Sequence, residues 1–414
     1  MTGTTDAGAA GDLRTLTRTA LEALLSPRGA HHRGTVMGAG SDDFESGRRF
    51  LTALAEGGWA VPTWPVEHGG MGLSSGEADV IAAVLDDFET PDMYPFLVGL
   101  DLIGPTILAH GSDEQKSRWL PAMRSGEEIW CQMFSEPDAG SDLANLKAGA
   151  VRDDDGWRVS GSKVWTSRAH YSQWGLLLAR TDVSVPKHAG ITAFGVDLSA
   201  PGATVRPLIQ MNGDSHFNEV FLDEVVIPDA DRIGAVGEGW RVAITCLSFE
   251  RGSLAGDLGV TGDEILALLD DAVRTAPGAT IGNGDRAPGA AAIHRDRVLR
   301  SYTDLRIGQW TALRSQAARA AGRPPGPLDS GAKLTTNRMI RALADRAVEI
   351  AGPAATVVGD SPSPWQTMFL VSPSLSIRGG TDEIQHNILG ERVLGLPPEP
   401  RVDKNKPFSD RPDA

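Results

Sequence analysis

Ile129-Trp-Cys-Gln-Met-Phe134-Ser-Glu-Pro-Asp-Ala-Gly-Ser-Asp142 is the stretch at which the chain changes its hydrophobic period. Before it, apolar residues recur at helical spacing over 13–25, 44–54 and 100–110, and residues 113–123 read as a further helix. Ser74-Ser75-Gly76-Glu77 opens another helix, running to about residue 89, because a serine oxygen accepts backbone N–H groups that the first turn leaves free. Gly57-Gly58, Pro62-Thr63-Trp64-Pro65 and Gly69-Gly70-Met71-Gly72 mark the loops between them. From 129 onward the runs are short and β-like: 129–134, 148–152, 157–165, 174–180, 191–197, 204–209 and 219–227. Asp153-Asp154-Asp155-Gly156 joins two of them as a hairpin-type turn. Short strands at this spacing predict a small β-sandwich or barrel. Helical patterns return over 240–273 (interrupted by glycines), 294–321, 330–351 and 382–394. Residues 277–292, rich in Gly, Ala and Pro, read as an exposed loop, and the polar tail after Pro397 as a mobile end. The expected architecture is α+β, with a helical domain at 1–128, a β domain at 129–236 and a helical bundle at 237–414.

Composition narrows the class. A chain of 414 residues, 41% of them hydrophobic, can build two or three domains with a sizeable core. A formal net charge of -15 argues against nucleic acid and anionic membrane as main partners, while a local arginine cluster can still bind a phosphate. Cys131 and Cys246 stand far apart without any CxxC, which points to a reducing, cytoplasmic compartment. The histidines show no metal spacing; adjacent His31 and His32 point apart on a helix or strand, so no metal is expected. The polar N-terminus lacks the basic start and apolar run of a secretory signal, and no stretch approaches the ~20 apolar residues of a membrane span.

Four segments in order carry a resemblance. Phe134-Ser-Glu-Pro-Asp-Ala-Gly-Ser-Asp142-Leu is similar to the first signature of the acyl-CoA dehydrogenase family, with Asp138 at a place usually held by glycine. Gly161-Ser-Lys-Val-Trp-Thr-Ser167 resembles the family's Gly-x-Lys-x-Trp-x-Ser/Thr. Phe217-Asn-Glu-Val-Phe-Leu-Asp-Glu-Val-Val-Ile-Pro228 looks like the strand pair that closes its β domain. Gly379-Gly-Thr-Asp-Glu-Ile-Gln385, followed by Gly390-Glu-Arg-Val-Leu-Gly-Leu-Pro397, resembles its C-terminal signature. The resemblance implies a helical domain, a β domain and a C-terminal four-helix bundle, with FAD as cofactor and an acyl-CoA as substrate.

Desaturating a thioester at Cα–Cβ needs a base for a weakly acidic proton and a hydride acceptor, which no side chain can be. In many family members the base is a glutamate directly before the Gly-Thr of the last signature, and here that place is Gly379. A second group, including isovaleryl and long-chain types, carries it in a Glu-Arg pair on a C-terminal-domain helix, and here Leu247-Ser-Phe-Glu250-Arg251 stands at that point. Glu250 is therefore the expected base, against its ordinary reading as a solvated helix glutamate paired with arginine. By the resemblance, Met133, Phe134 and Ser135 offer backbone N–H groups and a hydroxyl to the flavin ring. Trp165 flanks the ring, and Thr166 and Ser167 bond near N5. Thr381 and Glu383 touch the adenosine part, Ser141 the pantetheine arm, and Arg251 the CoA or the base. Glu136 is expected to hold the shape of its loop. Gly379, Gly252 and Ser253 leave room for a branched, cyclic or otherwise bulky acyl group.

The family usually completes its flavin site from a neighbouring subunit with an Arg-x-x-Phe-Gly and a Gln-x-x-Gly-Gly-x-Gly segment. The corresponding regions here, Val273-Arg-Thr-Ala-Pro-Gly-Ala-Thr-Ile-Gly-Asn-Gly284 and Glu349-Ile-Ala-Gly-Pro-Ala-Ala-Thr-Val-Val-Gly359, contain neither. The pyrophosphate groups then come from a second acyl-CoA dehydrogenase-like subunit, or a homo-oligomer holds the cofactor differently. Electrons are expected to leave to an electron-transfer flavoprotein or another acceptor. The alternatives are an oxidase or monooxygenase of the same fold, a dehydrogenase of carrier-protein thioesters, and a non-catalytic partner subunit.

Overall fold

A computed structural model describes residues 5–29, 43–253, 288–320, 326–359, 362–400 and 404–410. The chain divides into two compact units, one built on residues 41–250 with both chain ends, the other on residues 251–398.

The first unit begins with α1 (Thr5–Glu22), α2 (Phe44–Ala55) and α3 (Ser75–Leu85). A continuous helical run follows, α4 (Tyr94–Leu97), a π-helical turn (Val98–Ile103) and α5 (Gly104–His110), and then α6 (Asp113–Arg124). Ser74 caps α3 as its sequence predicts: Glu77 N–H donates to the Ser74 hydroxyl, and Ser74 N–H donates to the Glu77 carboxylate at 2.8 Å. The helix stops at Leu85, short of residue 89, because the backbone of residues 87–89 pairs with residues 26–28 instead.

The strands are β1 (Trp130–Met133), β2 (Gly149–Asp153), β3 (Gly156–Ser167), β4 (Trp174–Arg180), β5 (Ile191–Asp197), β6 (Ala203–Leu208), β7 (Phe217–Ile227) and β8 (Arg232–Ile233). They form one mixed sheet in the order β6-β7-β3-β2-β4-β5-β8, with β1 parallel beside β4. Only one residue pair, Gly149 with Arg180, joins β2 to β4. The two halves fold over that joint and share a core: Trp157, Val159, Val220 and Val225 from one half meet Leu177, Phe194 and Val196 from the other. The rings of Trp157 and Phe194 lie 5.4 Å apart across it. This two-layered packing is the arrangement expected of short, half-buried strands.

The other face of the sheet packs on α5 and α6 through Trp119, Trp130 and Trp174, with Trp130 stacked on Trp174 at 5.5 Å. Helix α7 (Gly239–Ser253) joins the same core with Val242, Ala243 and Cys246. Its start lies so close to β5 that a Cβ on Gly239 would come within 2.6 Å of the Thr192 carbonyl carbon, so only glycine fits there. The tail corrects the sequence expectation of a mobile end: residues 404–410 return to this unit, and Phe408 is buried.

The second unit contains α8 (Pro288–Ala320), α9 (Asp329–Ala351), α10 (Pro364–Val371) and α11 (Asp382–Arg392). Helix α8 starts six residues before position 294, inside the stretch read as a loop. Proline is tolerated at a first helical position, where its missing N–H has no helical partner anyway. The core is built along α9, where Met339, Ile340, Leu343, Ala344, Ala347 and Ile350 recur at helical spacing against Leu305, Trp365 and Met368. Among the described residues no helix is long and apolar enough to cross a membrane.

Candidate active site

β1 ends at Met133, and the loop Phe134-Ser135-Glu136 crosses toward β3. Val164 N–H donates to the Ser135 carbonyl at 2.9 Å. Lys163 is completely buried, and its Nζ donates to the Phe134 carbonyl at 3.1 Å and to Glu136 Oε1 at 2.7 Å. Glu136 also accepts the N–H groups of Lys147 (2.6 Å) and Ala148 (3.0 Å). Burial pushes the Lys163 ammonium down to about 8, against the pull of Glu136. One buried carboxylate thus holds both the 133–136 loop and the 147–148 turn. Both its oxygens are engaged, which excludes it as a proton acceptor for a substrate.

The register of β3 against β7 shifts between Lys163 and Thr166. In this bulge Trp165 takes a left-handed backbone, φ 58°, and its indole turns outward, 60% exposed, edge-on to Phe217 at 6.0 Å. Trp165 is therefore not a core tryptophan. Thr166 turns inward: it is completely buried, its hydroxyl meets no partner among the described residues, and its carbonyl accepts from Asn218 Nδ2 at 3.0 Å. Of the two hydroxyls expected near the flavin, that of Thr166 is buried, whereas Ser167 is half-buried. The side chains of Met133 and Phe134 are buried, so their backbone alone is available to a ligand. Ser135 is half-buried, and its N–H and hydroxyl make no bond to the described residues. Ser141 is exposed on the following loop, beside Asp142, whose carboxylate accepts from Lys187 Nζ at 2.8 Å.

Helix α7 is tied down near this loop. His110 Nε2 lies 2.8 Å from the Thr245 hydroxyl, and Gln132 Nε2, on β1, lies 3.5 Å from Cys246 Sγ. Burial, then the Arg241 guanidinium, holds His110 below the usual imidazole range. Positions 246 and 250 are one helical turn apart. Glu250 and Arg251 belong to α7, and their side chains lie outside the described residues.

In the second unit the Gly379-Gly380-Thr381 segment is held from α9. Lys333 Nζ donates to the carbonyls of Arg378 (2.6 Å) and Gly380. Asn337 Nδ2 donates to the Leu375 carbonyl and to Asp382 Oδ1, both at 2.9 Å. Buried Gln385 reaches back to the carbonyls of Gly379 (3.1 Å) and Gly380 (3.3 Å). Gly379 has φ 64°, a backbone that disfavours a side chain such as glutamate. Thr381 caps α11 by accepting the Ile384 N–H at 3.3 Å, and Glu383 is exposed in the first turn. Lys333, Asn337 and Gln385 were not anticipated: each acts through carbonyls far away in the chain, except Gln385, whose place in the quoted signature was the one available signal. Residues 273–284, including Arg274, lie outside the described residues. In 349–359 the helix ends at Ala351, and Val357 and Val358 are exposed. No metal-binding cluster of His, Cys, Asp or Glu occurs among the described residues.

Three family models match consecutive parts of the chain: acyl-CoA dehydrogenase, N-terminal domain, at 12–127; middle domain, at 131–225; and C-terminal domain, at 237–394. The chain is 39% identical to acyl-CoA dehydrogenase IpdE1 of Mycobacterium tuberculosis over 359 residues, covering 86% of this chain and 89% of the relative. Among solved structures, "Tcur3481-Tcur3483 steroid ACAD" superposes with a TM-score of 0.75 at 27% identity, over 95% of this chain and 98% of that one. The ChsE4-ChsE5 complex from Mycobacterium tuberculosis superposes with a TM-score of 0.71 at 26% identity, over 96% and 99%.

Proposed function

Because the chain belongs to the acyl-CoA dehydrogenase family, we propose that it desaturates a bulky acyl-CoA at Cα–Cβ, with FAD as cofactor and Glu250 as the base. The observation that carries this reading is the outward face of the bulge at 163–167. There an exposed indole and the Ser167 hydroxyl stand at the end of β3, while Ser135 keeps an N–H and a hydroxyl without partners among the described residues. A flat aromatic surface beside N–H and O–H donors suits a flavin ring and its polar edge. When bound, the flavin supplies the hydride acceptance that no side chain can. Thr381 and Glu383 are proposed for its adenosine part, and Ser141 and Arg251 for the CoA moiety.

Glu250 takes the α-proton. Its helix is fastened to β1 one turn earlier, by the Gln132–Cys246 contact, and β1 runs straight into the Ser135 loop. A carboxylate facing an acyl chain from which water has been expelled becomes a stronger base, because burial disfavours its charged form. Glycine in a left-handed conformation at 379 supports the assignment, since the alternative place for the base carries no carboxylate.

Trp165→Ala is expected to weaken FAD binding about tenfold, the scale of one lost aromatic contact with its buried area. Titration of apoprotein with FAD reads this directly, and wild-type affinity would remove the indole from the site.

Gly379 and the Gly252-Ser253 pair after the base leave space, and a structural neighbour is described as a steroid ACAD. Anaerobic addition of an acyl-CoA panel to the flavin-loaded protein should bleach the flavin with branched or ring-bearing acyl groups. Bleaching by straight medium-chain substrates alone counts against the bulky class. Two of the neighbours are named as two-component assemblies, which supports a second dehydrogenase-like subunit as the source of the pyrophosphate groups missing here. An electron-transfer flavoprotein is the proposed acceptor.

A further inference from the structure

We propose that the C-terminal tail clamps the loop carrying Ser141, with Phe408 as a positioning residue for the carrier arm of the acyl-CoA; the inference rests on the reading of Ser141 as a substrate contact. Phe408 is the only aromatic residue after Pro398. It is 3% exposed, although the residues around it (Lys404-Asn-Lys-Pro-Phe-Ser-Asp410) are polar. The tail is seated by its backbone: Phe408 N–H donates to the Val185 carbonyl and Ser409 N–H to the Val183 carbonyl, both at 2.9 Å.

The ring lies against Arg180, whose guanidinium carbon is 3.6 Å from the ring centroid. Arg180 is itself 4% exposed and spreads its donors over two loops. Nη2 donates to the Ala144 carbonyl (2.7 Å), Nε to the Leu146 carbonyl (3.0 Å) and Nη1 to the Lys187 carbonyl (3.1 Å). Lys187 closes the ring of contacts through its ion pair with Asp142, the residue next to Ser141. One buried cation therefore holds the 144–146 end of the Ser141 loop directly and, through the Lys187 backbone, braces the lysine that holds Asp142. One aromatic ring from the tail covers that cation. A planar guanidinium is pre-organised for several bonds, and an aromatic ring over its face keeps water from competing for them. Removing the ring admits water to Arg180 and loosens its hold on the Ser141 loop. Phe408 meets Arg180 and the Val185 backbone, and Arg180 in turn holds the 144–146 segment beside Ser141, so the effect should fall on substrate affinity.

The test uses full-length, FAD-loaded Phe408→Ala beside Ser141→Ala. For Phe408→Ala, amide exchange over 142–148 and 181–187 should quicken. KM for acyl-CoA should rise about five- to tenfold, the scale of one or two weakened hydrogen bonds, with kcat and flavin content unchanged. Phe408→Leu, which keeps most of the volume without the π face, should move KM in the same direction by less, and Phe408→Trp should restore it. Wild-type KM in Phe408→Ala with a raised KM in Ser141→Ala overturns the clamp and leaves the substrate reading standing. Wild-type KM in both overturns both. Loss of flavin in step with the KM change also overturns the clamp, because the tail then acts on general integrity.

Discussion

Glu250→Gln is expected to keep its flavin and its affinity for acyl-CoA and to lose turnover by about 10²–10⁴-fold, the contribution of a positioned general base. The amide preserves shape and removes the proton acceptor, so the loss should fall in kcat and in the rate of anaerobic bleaching, with the starting flavin spectrum unchanged. Competing carboxylates are poorly placed to rescue it. Glu136 is committed to Lys163 and to two backbone N–H groups. Asp382 accepts from Asn337, and Glu383 is exposed at a helix start. Glu250→Asp should retain partial activity, since the acceptor remains and is only set back by one methylene. If Glu250→Gln bleaches at the wild-type rate, the base lies elsewhere.

Lys163→Met costs about 3–5 kcal/mol of stability, because it leaves the Glu136 charge buried without its cation. The Phe134 carbonyl loses its donor at the same time. Both consequences fall on the loop proposed to face the flavin, so the variant should melt earlier and purify with less cofactor. Pairing it with Glu136→Gln should recover only part of the loss. The glutamine removes the uncompensated charge but has a single acceptor oxygen for the Lys147 and Ala148 N–H groups that the carboxylate served separately. Full recovery in the double variant would mean that the pair is dispensable for the loop. Thermal unfolding followed together with flavin absorbance distinguishes these outcomes.

Much of the frame was legible from local signals. β4 and β5 coincide with the runs read at 174–180 and 191–197, because a strand buried on both faces is a continuous apolar run between Gly, Asp and Pro turns. The start of α3 follows from one serine and one glutamate. The segments near Ser135, Trp165 and Gly379 stood out by resemblance, while the left-handed, outward-turned backbone of Trp165 did not. What stayed hidden depends on contacts between distant residues. Arg180 looks like the polar end of a strand, yet it is buried because carbonyls from two loops converge on it. Phe408 sits in a polar tail, and only its docking partner makes it a core residue. Lys163 stood in the quoted Gly-x-Lys-x-Trp segment, but its burial against Glu136 has no local signal. Glu250 was read on its helix, and the helix is there, but the direction of its side chain is beyond the described residues.

The left-handed backbone at Trp165 has a bearing on how this segment changes over evolutionary time. Such a conformation costs roughly 1–2 kcal/mol for a residue with a Cβ, and glycine or asparagine would adopt it more readily. Burial does not repay a bulky ring that points into solvent. Folding by itself would therefore let the tryptophan drift to a small residue, whereas the flavin contact proposed for it would keep it. On that proposal, a lineage that abandoned the cofactor while retaining the scaffold should show its first losses at this position, well before the buried Lys163.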